Sequence, residues 1–332
     1  MAPEKVKLAF VGLGNWGSRL AAAAERSGAA EPVRCFARTE ETRNTFAEKF
    51  GGAPASSLDE ILKDDSVEGL VISTPHSTHL EIIREAASAG KHIFVEKPLT
   101  LTVQEGRQAI TAAEAAGVTL QVGHHRRRLG ATRKVRSMIE AGELGMLHQL
   151  EAHVFNANRQ SPAQGWHNDP AEWPLGGMTG RGVHMIDNFH YLAGPIKRVS
   201  TFSKKILGAT QLDDATVITL EFESGPLGYI AVSQVVPFSI LTSALGTEAA
   251  AWSDEDGAKL YVQKKNETSR TEIPVEAGDA LADQMTEFAR CIRTGEKPEI
   301  GGAEALEVVA AFEAIVESAA SGQVVEVSKY RN

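Results

Sequence analysis

The sequence predicts an α/β chain in two parts, a doubly wound parallel sheet followed by an α+β domain with a large, mostly antiparallel open sheet. Three observations carry that prediction. The first 123 residues alternate short apolar runs with amphipathic stretches, several of the stretches end in glycine, and after Gly123 the alternation gives way to consecutive strand-like runs. Continuous apolar runs separated by helices imply parallel strands buried on both faces, because the crossover helices cover each side. With 332 residues, 42% hydrophobic and 23% charged, the chain has the apolar mass for two domains. The change of rhythm sets their limits at 1–123 and 124–332.

In the first part the strand-like runs are Lys7–Val11, Val33–Ala37, Gly69–Ser73, His92–Val95 and Val118–Val122. Between them Ser18–Ser27, Glu40–Phe50, Thr78–Ala89 and Val103–Ala116 have the amphipathic pattern of helices, and Gly28, Gly51, Gly90 and Gly117 supply the left-handed turn that closes a helix. The second part opens with a helix at Ala131–Ala141 and a strand at Leu147–Ala157, apolar at roughly every second position. A loop rich in Pro, Gly and Trp (Ser161–Gly177) leads to the apolar-periodic segment Val183–Leu192. Strand-like runs follow at Ile196–Leu207, Ala215–Phe222, Leu227–Val236 and Lys259–Gln263, then helices at Ala280–Arg293 and Ala303–Ala320 and a last strand at Gln323–Val327. The alternation within Ile196–Val236 reads as a sheet face buried on assembly into a homodimer or homotetramer.

A formal net charge of −9 offers no footprint for nucleic acid or an anionic membrane, which leaves small molecules and other proteins as partners. Cys35 and Cys291 are the only cysteines, too few for a disulfide scaffold and in keeping with a reducing compartment. Leu8–Val11 is too short for the core of a signal peptide. Glu304, Glu307, Glu313 and Glu317 interrupt the most apolar stretch, so no segment approaches the roughly 18 apolar residues of a membrane span. The expectation is a cytoplasmic protein.

Gly12-Leu-Gly14-Asn-Trp-Gly17 fits the pattern G-x-G-x-x-G directly after the first strand and at the start of a helix. The first glycine makes the tight turn, the second admits a pyrophosphate to the backbone, and the third allows the helix to pack on the strand. This is the phosphate turn of a Rossmann domain, with Asn15 and Trp16 counted among its cofactor residues. NAD-selective chains place Asp or Glu at the end of the second strand; here that region reads Cys35-Phe-Ala-Arg-Thr39. Arg38, with Thr39 beside it, suits a 2′-phosphate that a carboxylate would repel, so NADP is expected ahead of NAD.

Glu96-Lys97-Pro98 ends the fourth strand-like run. Proline holds the residue before it extended, and the carboxyl end of such a strand faces the ligand crevice. A lysine there can donate to the oxygen being oxidised or reduced, with Glu96 as its electrostatic partner. Ser73-Thr-Pro-His-Ser-Thr-His79, Glu96-Lys-Pro98, Gly123-His-His-Arg-Arg127 and Gly176-Gly177…Gly182-Val-His-Met-Ile-Asp187 occur in that order. Together they resemble the Gfo/Idh/MocA family, which includes glucose–fructose oxidoreductase and inositol dehydrogenase.

The resemblance implies a Rossmann domain, a second domain whose open sheet builds the substrate site and the oligomer interface, and NAD(P)-dependent oxidoreduction of a sugar, cyclitol or related polyol. It places Thr74, Pro75, His79, Glu96, Lys97 and Trp166 with the cofactor, and makes Lys97 and His184 the acid–base pair. Asp187, three residues on, shares a helical face with His184 and can orient it. The chain departs from the family pattern at three places. Gly180 stands where an aspartate is common, His125 where asparagine is common, and His167 follows Trp166 where arginine is common. Arg181 and His125 then point to a substrate that bears a carboxylate or phosphate. Alternatives are a dehydrogenase of a cyclic dihydrodiol, hemiacetal or acidic sugar, and a regulatory protein that binds NADP without turnover. His124–Arg128 lacks metal-ligand spacing, so no metal is expected.

Overall fold

The computed structural model describes residues 4–157 and 165–331. In chain order the elements are β1 Val6–Val11, α1 Asn15–Ser27, β2 Ala30–Phe36, α2 Glu40–Phe50, β3 Ala53–Pro54, α3 Leu58–Leu62, β4 Gly69–Ile72, α4 His79–Ser88, β5 His92–Val95, α5 Val103–Ala116 and β6 Leu120–Val122. They continue with α6 Gly130–Glu140, β7 Leu147–Phe155, α7 Val183–Ala193, β8 Ile196–Lys204, β9 Ala215–Phe222, β10 Leu227–Ser233, β11 Ser239–Gly246, β12 Ala249–Asp254, β13 Lys259–Lys264 and β14 Thr271–Ile273. The last are α8 Ala280–Thr294, α9 Gly302–Ser321, β15 Val325–Glu326 and α10 Ser328–Arg331. Two compact units contain them. One is the chain up to His125 with Asp279–Leu306, and the other is Arg126–Gly278 with the residues from Glu307 onward.

In the first unit six parallel strands run in the order β3-β2-β1-β4-β5-β6. The chain starts in the middle and winds both ways, so the order reverses between β1 and β4, where such sheets bind ligands. β4 is buried throughout. The core joins Leu8, Phe10, Leu20, Val71 and Phe94 to Met285, Phe288 and Ala289, so α8 belongs to this unit although it begins 158 residues after β6 ends. The Phe94 and Phe288 rings lie 5.9 Å apart, and Gln121 Nε2 donates to the Gln284 carbonyl at 2.9 Å. The sequence alone places one boundary near residue 124; the return of Asp279–Leu306 comes from tertiary packing.

The second unit holds a nine-stranded sheet, β14-β13-β12-β11-β7-β10-β9-β8-β15, antiparallel except where β10 runs parallel to β7. Periodicity alone does not indicate β11, β12 or β14. Ser239–Gly246 lacks a regular polar–apolar alternation and Ala249–Asp254 is mostly Ala and Ser, and β7 and β13 supply the ladder partners that make them strands. α1 starts at Asn15, earlier than its apolar pattern, because its first turn is set by the glycine turn before it. Of the Pro/Gly/Trp loop, Ser161 to residue 164 lies outside the described residues. Among the described residues no helix is long and apolar enough to cross a membrane.

Candidate active site

The glycine turn is enforced by contacts at two of its three glycines. Gly12 has φ +90°, and a Cβ there would stand 2.6 Å from the Ser73 carbonyl oxygen. A Cβ on Gly17 would stand 2.1 Å from the Gly12 carbonyl oxygen, so only glycine lets α1 pack this close to the turn. Ser73 Oγ donates to that same carbonyl at 2.6 Å and ties β4 to the turn. Gly14 differs, because a Cβ there would meet nothing within 4 Å. It caps α1 without a side-chain hydrogen bond, and the first turn carries no acidic residue. Amides and the positive end of the helix dipole therefore stand ready for an anion beside an open glycine, a cradle that fits the diphosphate of a dinucleotide.

Beyond β2, Arg38 and Thr39 are exposed. Arg43, which sequence reasoning missed, donates from Nη1 to the carbonyls of Ala37 (2.8 Å) and Arg38 (3.4 Å) and so holds the turn that carries Arg38. Its signal was available, a second arginine within the first two turns of α2. After β4 the Thr78 hydroxyl donates to the Pro75 carbonyl and shares a hydrogen bond with the Thr74 hydroxyl, both at 2.7 Å. His79 is fully buried; Nδ1 lies 3.1 and 3.2 Å from the carbonyl oxygens of Pro98 and Leu99, and Nε2 lies 3.2 Å from that of Thr74. The imidazole thus joins the loops after β4 and β5.

Glu96 and Lys97 are both buried at the carboxyl end of β5, and the Lys97–Pro98 peptide is cis. The Lys97 amide donates to Glu96 Oε2 at 3.3 Å, while Oε1 has no hydrogen-bond partner among the described residues. A Cβ on Gly123 would stand 2.8 Å from Oε1, so the carboxyl group depends on that glycine for its place. Burial pushes the Glu96 carboxyl up to about 7, against the opposing pull of Lys97 and Arg19. Arg19 also lies 4.5 Å over the Trp16 ring, whose other neighbour is the half-buried His125 ring at 5.7 Å, edge-on.

In the second unit one turn of π-helix, Met178–Gly182, runs directly into α7. It lies tight on β10, since a Cβ on Gly177 would come within 2.9 Å of the Val232 side chain. His184 is 3% exposed and Asp187 fully buried. Both oxygens of Asp187 accept from Arg127, Nε at 2.9 Å to each and Nη2 at 2.6 Å to Oδ1. A bidentate pair of this kind locks α7 to the turn His125–Arg128. Arg126 pairs with Asp256, so two of the three consecutive arginines serve the interior of their own unit. Arg181 is half-buried. Trp166 lies in the second unit, its ring 3.9 Å from that of His167 and tilted 34° to it. No group of three or more His, Cys, Asp or Glu among the described residues could hold a metal ion.

A parallel sheet wound from its centre, a glycine cradle at the switch point and a buried Glu–Lys pair beside it define a dinucleotide-dependent oxidoreductase. Residues 6–124 match the NAD-binding Rossmann-fold model of the GFO/IDH/MocA oxidoreductases, and residues 132–251 match the GFO/IDH/MocA C-terminal domain. The chain belongs to the GFO/IDH/MocA family and is an NAD(P)-dependent oxidoreductase. It is 26% identical over 314 residues to 1,5-anhydro-D-fructose reductase of Ensifer adhaerens, covering 91% of this chain and 92% of that one. It is 28% identical over 253 residues to scyllo-inositol 2-dehydrogenase (NAD(+)) of Bacillus subtilis, covering 72% and 71%. A crystal structure of a candidate NADPH-dependent oxidoreductase from Desulfitobacterium hafniense superposes with a TM-score of 0.94 at 29% identity, over 99% of each chain.

Proposed function

We propose that the enzyme prefers NADP and acts on a secondary alcohol, or the matching carbonyl, of a sugar, cyclitol or related polyol. The bound nicotinamide supplies the hydride chemistry. The family motifs that Lys97 and His184 match assign these two residues the acid–base work on the substrate hydroxyl. The turn at Gly12, Gly14 and Gly17, with Asn15, Trp16, Thr74 and Pro75, holds the dinucleotide, and His79 keeps the two loops that carry Thr74 and Lys97 in register. The anhydro-sugar and inositol relatives support the substrate class. Arg181, one residue past Gly180, brings carboxylate-bearing sugars into the same class.

The observation that carries the cofactor preference is Arg38, exposed at the end of β2, in a turn that has no carboxylate and is braced by Arg43. A titration following nicotinamide fluorescence should show NADPH binding more tightly than NADH. Loss of one charge-assisted pair in Arg38→Ala should weaken NADPH by about 10–100-fold and leave NADH nearly unchanged. Equal binding of both nucleotides to the unaltered protein would remove the preference.

We also propose a homo-oligomer built on the open face of the large sheet. Phe202, Val217, Ala231, His153 and Leu241 stand in one cross-strand row, and Phe202 is 74% exposed. Four apolar side chains, with His153 among them, stand in register across five strands and make a patch that assembly covers. Sedimentation should give a dimer or tetramer, and Phe202→Glu with Val217→Glu should shift it to monomer; a monomeric unaltered protein contradicts the proposal.

A further inference from the structure

We propose that the π turn Met178–Gly182 sets the rotation of α7 about its own axis and thereby aims the His184 imidazole, with Met178 and Trp173 as the positioning residues. The inference rests on the acid–base reading of His184 above and adds to it the residues that place the ring. It starts from α7 itself. A surface helix is turned by its apolar stripe, but in α7 every residue from Val183 to Phe189 is buried. No stripe distinguishes one face of that stretch from another, so its rotation has to be fixed at its two ends.

One fixed point follows His184. The Arg127 guanidinium donates to both oxygens of Asp187 and ties α7 to the turn before α6. The other fixed point precedes it. The backbone is right-handed at Gly177 (φ −59°, ψ −21°) and at Gly182 (φ −61°, ψ −32°), so the π turn runs into α7 as one continuous helix. A π turn closes i to i+5 and holds one residue more than an α turn. Each later residue therefore stands about 100° away from where an unbroken α-helix would carry it. Such turns are rare within helices and recur at functional sites.

Specific neighbours hold this one open. A Cβ on Gly180 would overlap Cζ3 of Trp173 and lie 2.7 Å from Cη2, so the indole fills a notch in the turn. A Cβ on Gly182 would overlap Sδ of Met178 and lie 2.9 Å from Cε and 3.1 Å from Val232 Cγ2. The fully buried thioether thus fills a second notch, backed by β10. The Thr179 hydroxyl donates to the Pro174 carbonyl and closes the incoming chain onto the turn. Leu175 in that chain has φ +58°, a left-handed conformation that a bulky residue keeps only where its surroundings over-determine it. Two uncommon backbone states therefore lie side by side just ahead of His184. Misplacing a reacting group by about 1 Å can cost about 10²-fold in rate, and a slip of one helical position would move the imidazole further than that.

The test uses Gly182→Ala, Met178→Ala, the double variant, Trp173→Ala, Trp173→Phe and His184→Gln in the full chain. Three quantities are read: NADPH affinity, kcat and KM with NADP on the best of myo-inositol, D-glucose and levoglucosan, and the place of the His184 ring in crystal structures of the variants. Gly182→Ala should displace the ring and lower kcat by about 10²-fold, with KM and NADPH affinity nearly unchanged. Met178→Ala vacates the space that the new methyl needs, so the double variant should regain most of the loss and return the ring to its place. Trp173→Phe should likewise keep most of the kcat that Trp173→Ala loses. The proposal is overturned if Gly182→Ala leaves the ring where it is, or if it lowers the thermal midpoint without splitting kcat from KM. It is overturned as well if the double variant recovers nothing. Should Gly182→Ala not fold, equal kcat in Trp173→Ala and Trp173→Phe overturns it. Full kcat in His184→Gln would overturn the acid–base reading of His184 instead, and the ring position would still decide what the π turn does.

Discussion

Lys97→Ala should lower kcat by about 10²–10⁴-fold, the usual worth of a positioned acid–base group. The side chain leaves a buried strand end, 6% exposed, where a proline and the backbone contacts of His79 hold its loop. His184→Ala should cost a similar factor. If the two residues act on one proton, the double variant should lose little more than the worse single one, since groups that act as a unit are not additive. Additive losses would separate their roles. Glu96 is expected to contribute to the pH dependence of this chemistry. Its carboxyl is pushed up to about 7 by burial, against the opposing charge of Lys97 beside it. The kcat/KM profile should therefore show a step centred near pH 7, which Glu96→Gln flattens; a step that survives the substitution belongs to another group.

The same group makes a stability prediction of defined sign. A carboxyl whose folded value lies above its unfolded value of about 4.3 binds more protons in the native state between the two. Stability should fall as pH rises from about 4.3 to about 7 and then stay at the lower level, and Glu96→Gln should remove that part of the fall. Thermal midpoints measured across this window check it directly.

Gly17→Ala should abolish nucleotide binding and destabilise the first unit by about 1–3 kcal/mol, the cost of overpacking a tight contact. Its methyl would stand 2.1 Å from the Gly12 carbonyl oxygen, a backbone atom already held by Ser73 Oγ. Neither side can yield without moving α1 off β1. Gly14→Ala supplies the contrast. Its backbone is extended (φ −72°, ψ −163°), and a Cβ there meets nothing, so the midpoint of denaturant unfolding should stay where it is while NADPH affinity falls by more than tenfold. Equal destabilisation by both substitutions would mean that Gly14 serves the fold and not the cofactor.

Where structure is made locally, the sequence could be read closely. α5 begins after Thr102, whose hydroxyl accepts from the Glu105 amide at 3.3 Å, and ends at Gly117 with φ +65°, so both limits are written in the chain. β5 and β9 were legible for a related reason, an apolar run for a fully buried strand and strict alternation for a half-buried one. The glycine turn, Lys97 and His184 could be picked out because each belongs to a short motif beside a recognisable element. β11 and β12 could not, because Ser239–Gly246 has no regular alternation and the Ala and Ser of Ala249–Asp254 carry too little preference of their own.

What the sequence determined by itself was the Rossmann half, its phosphate turn and the residue types offered for hydride chemistry, since a strand, a turn and a helix cap each depend on residues within about 15 positions of one another. What only the tertiary structure decided were the partners drawn from far along the chain. Arg127 meets Asp187 across 60 residues, α8 returns to the first sheet, and Trp173 settles on Gly180. Such pairs are selected by shape and charge once the sheets have formed. No periodicity records them, because the chain between the partners is free to vary without altering the contact.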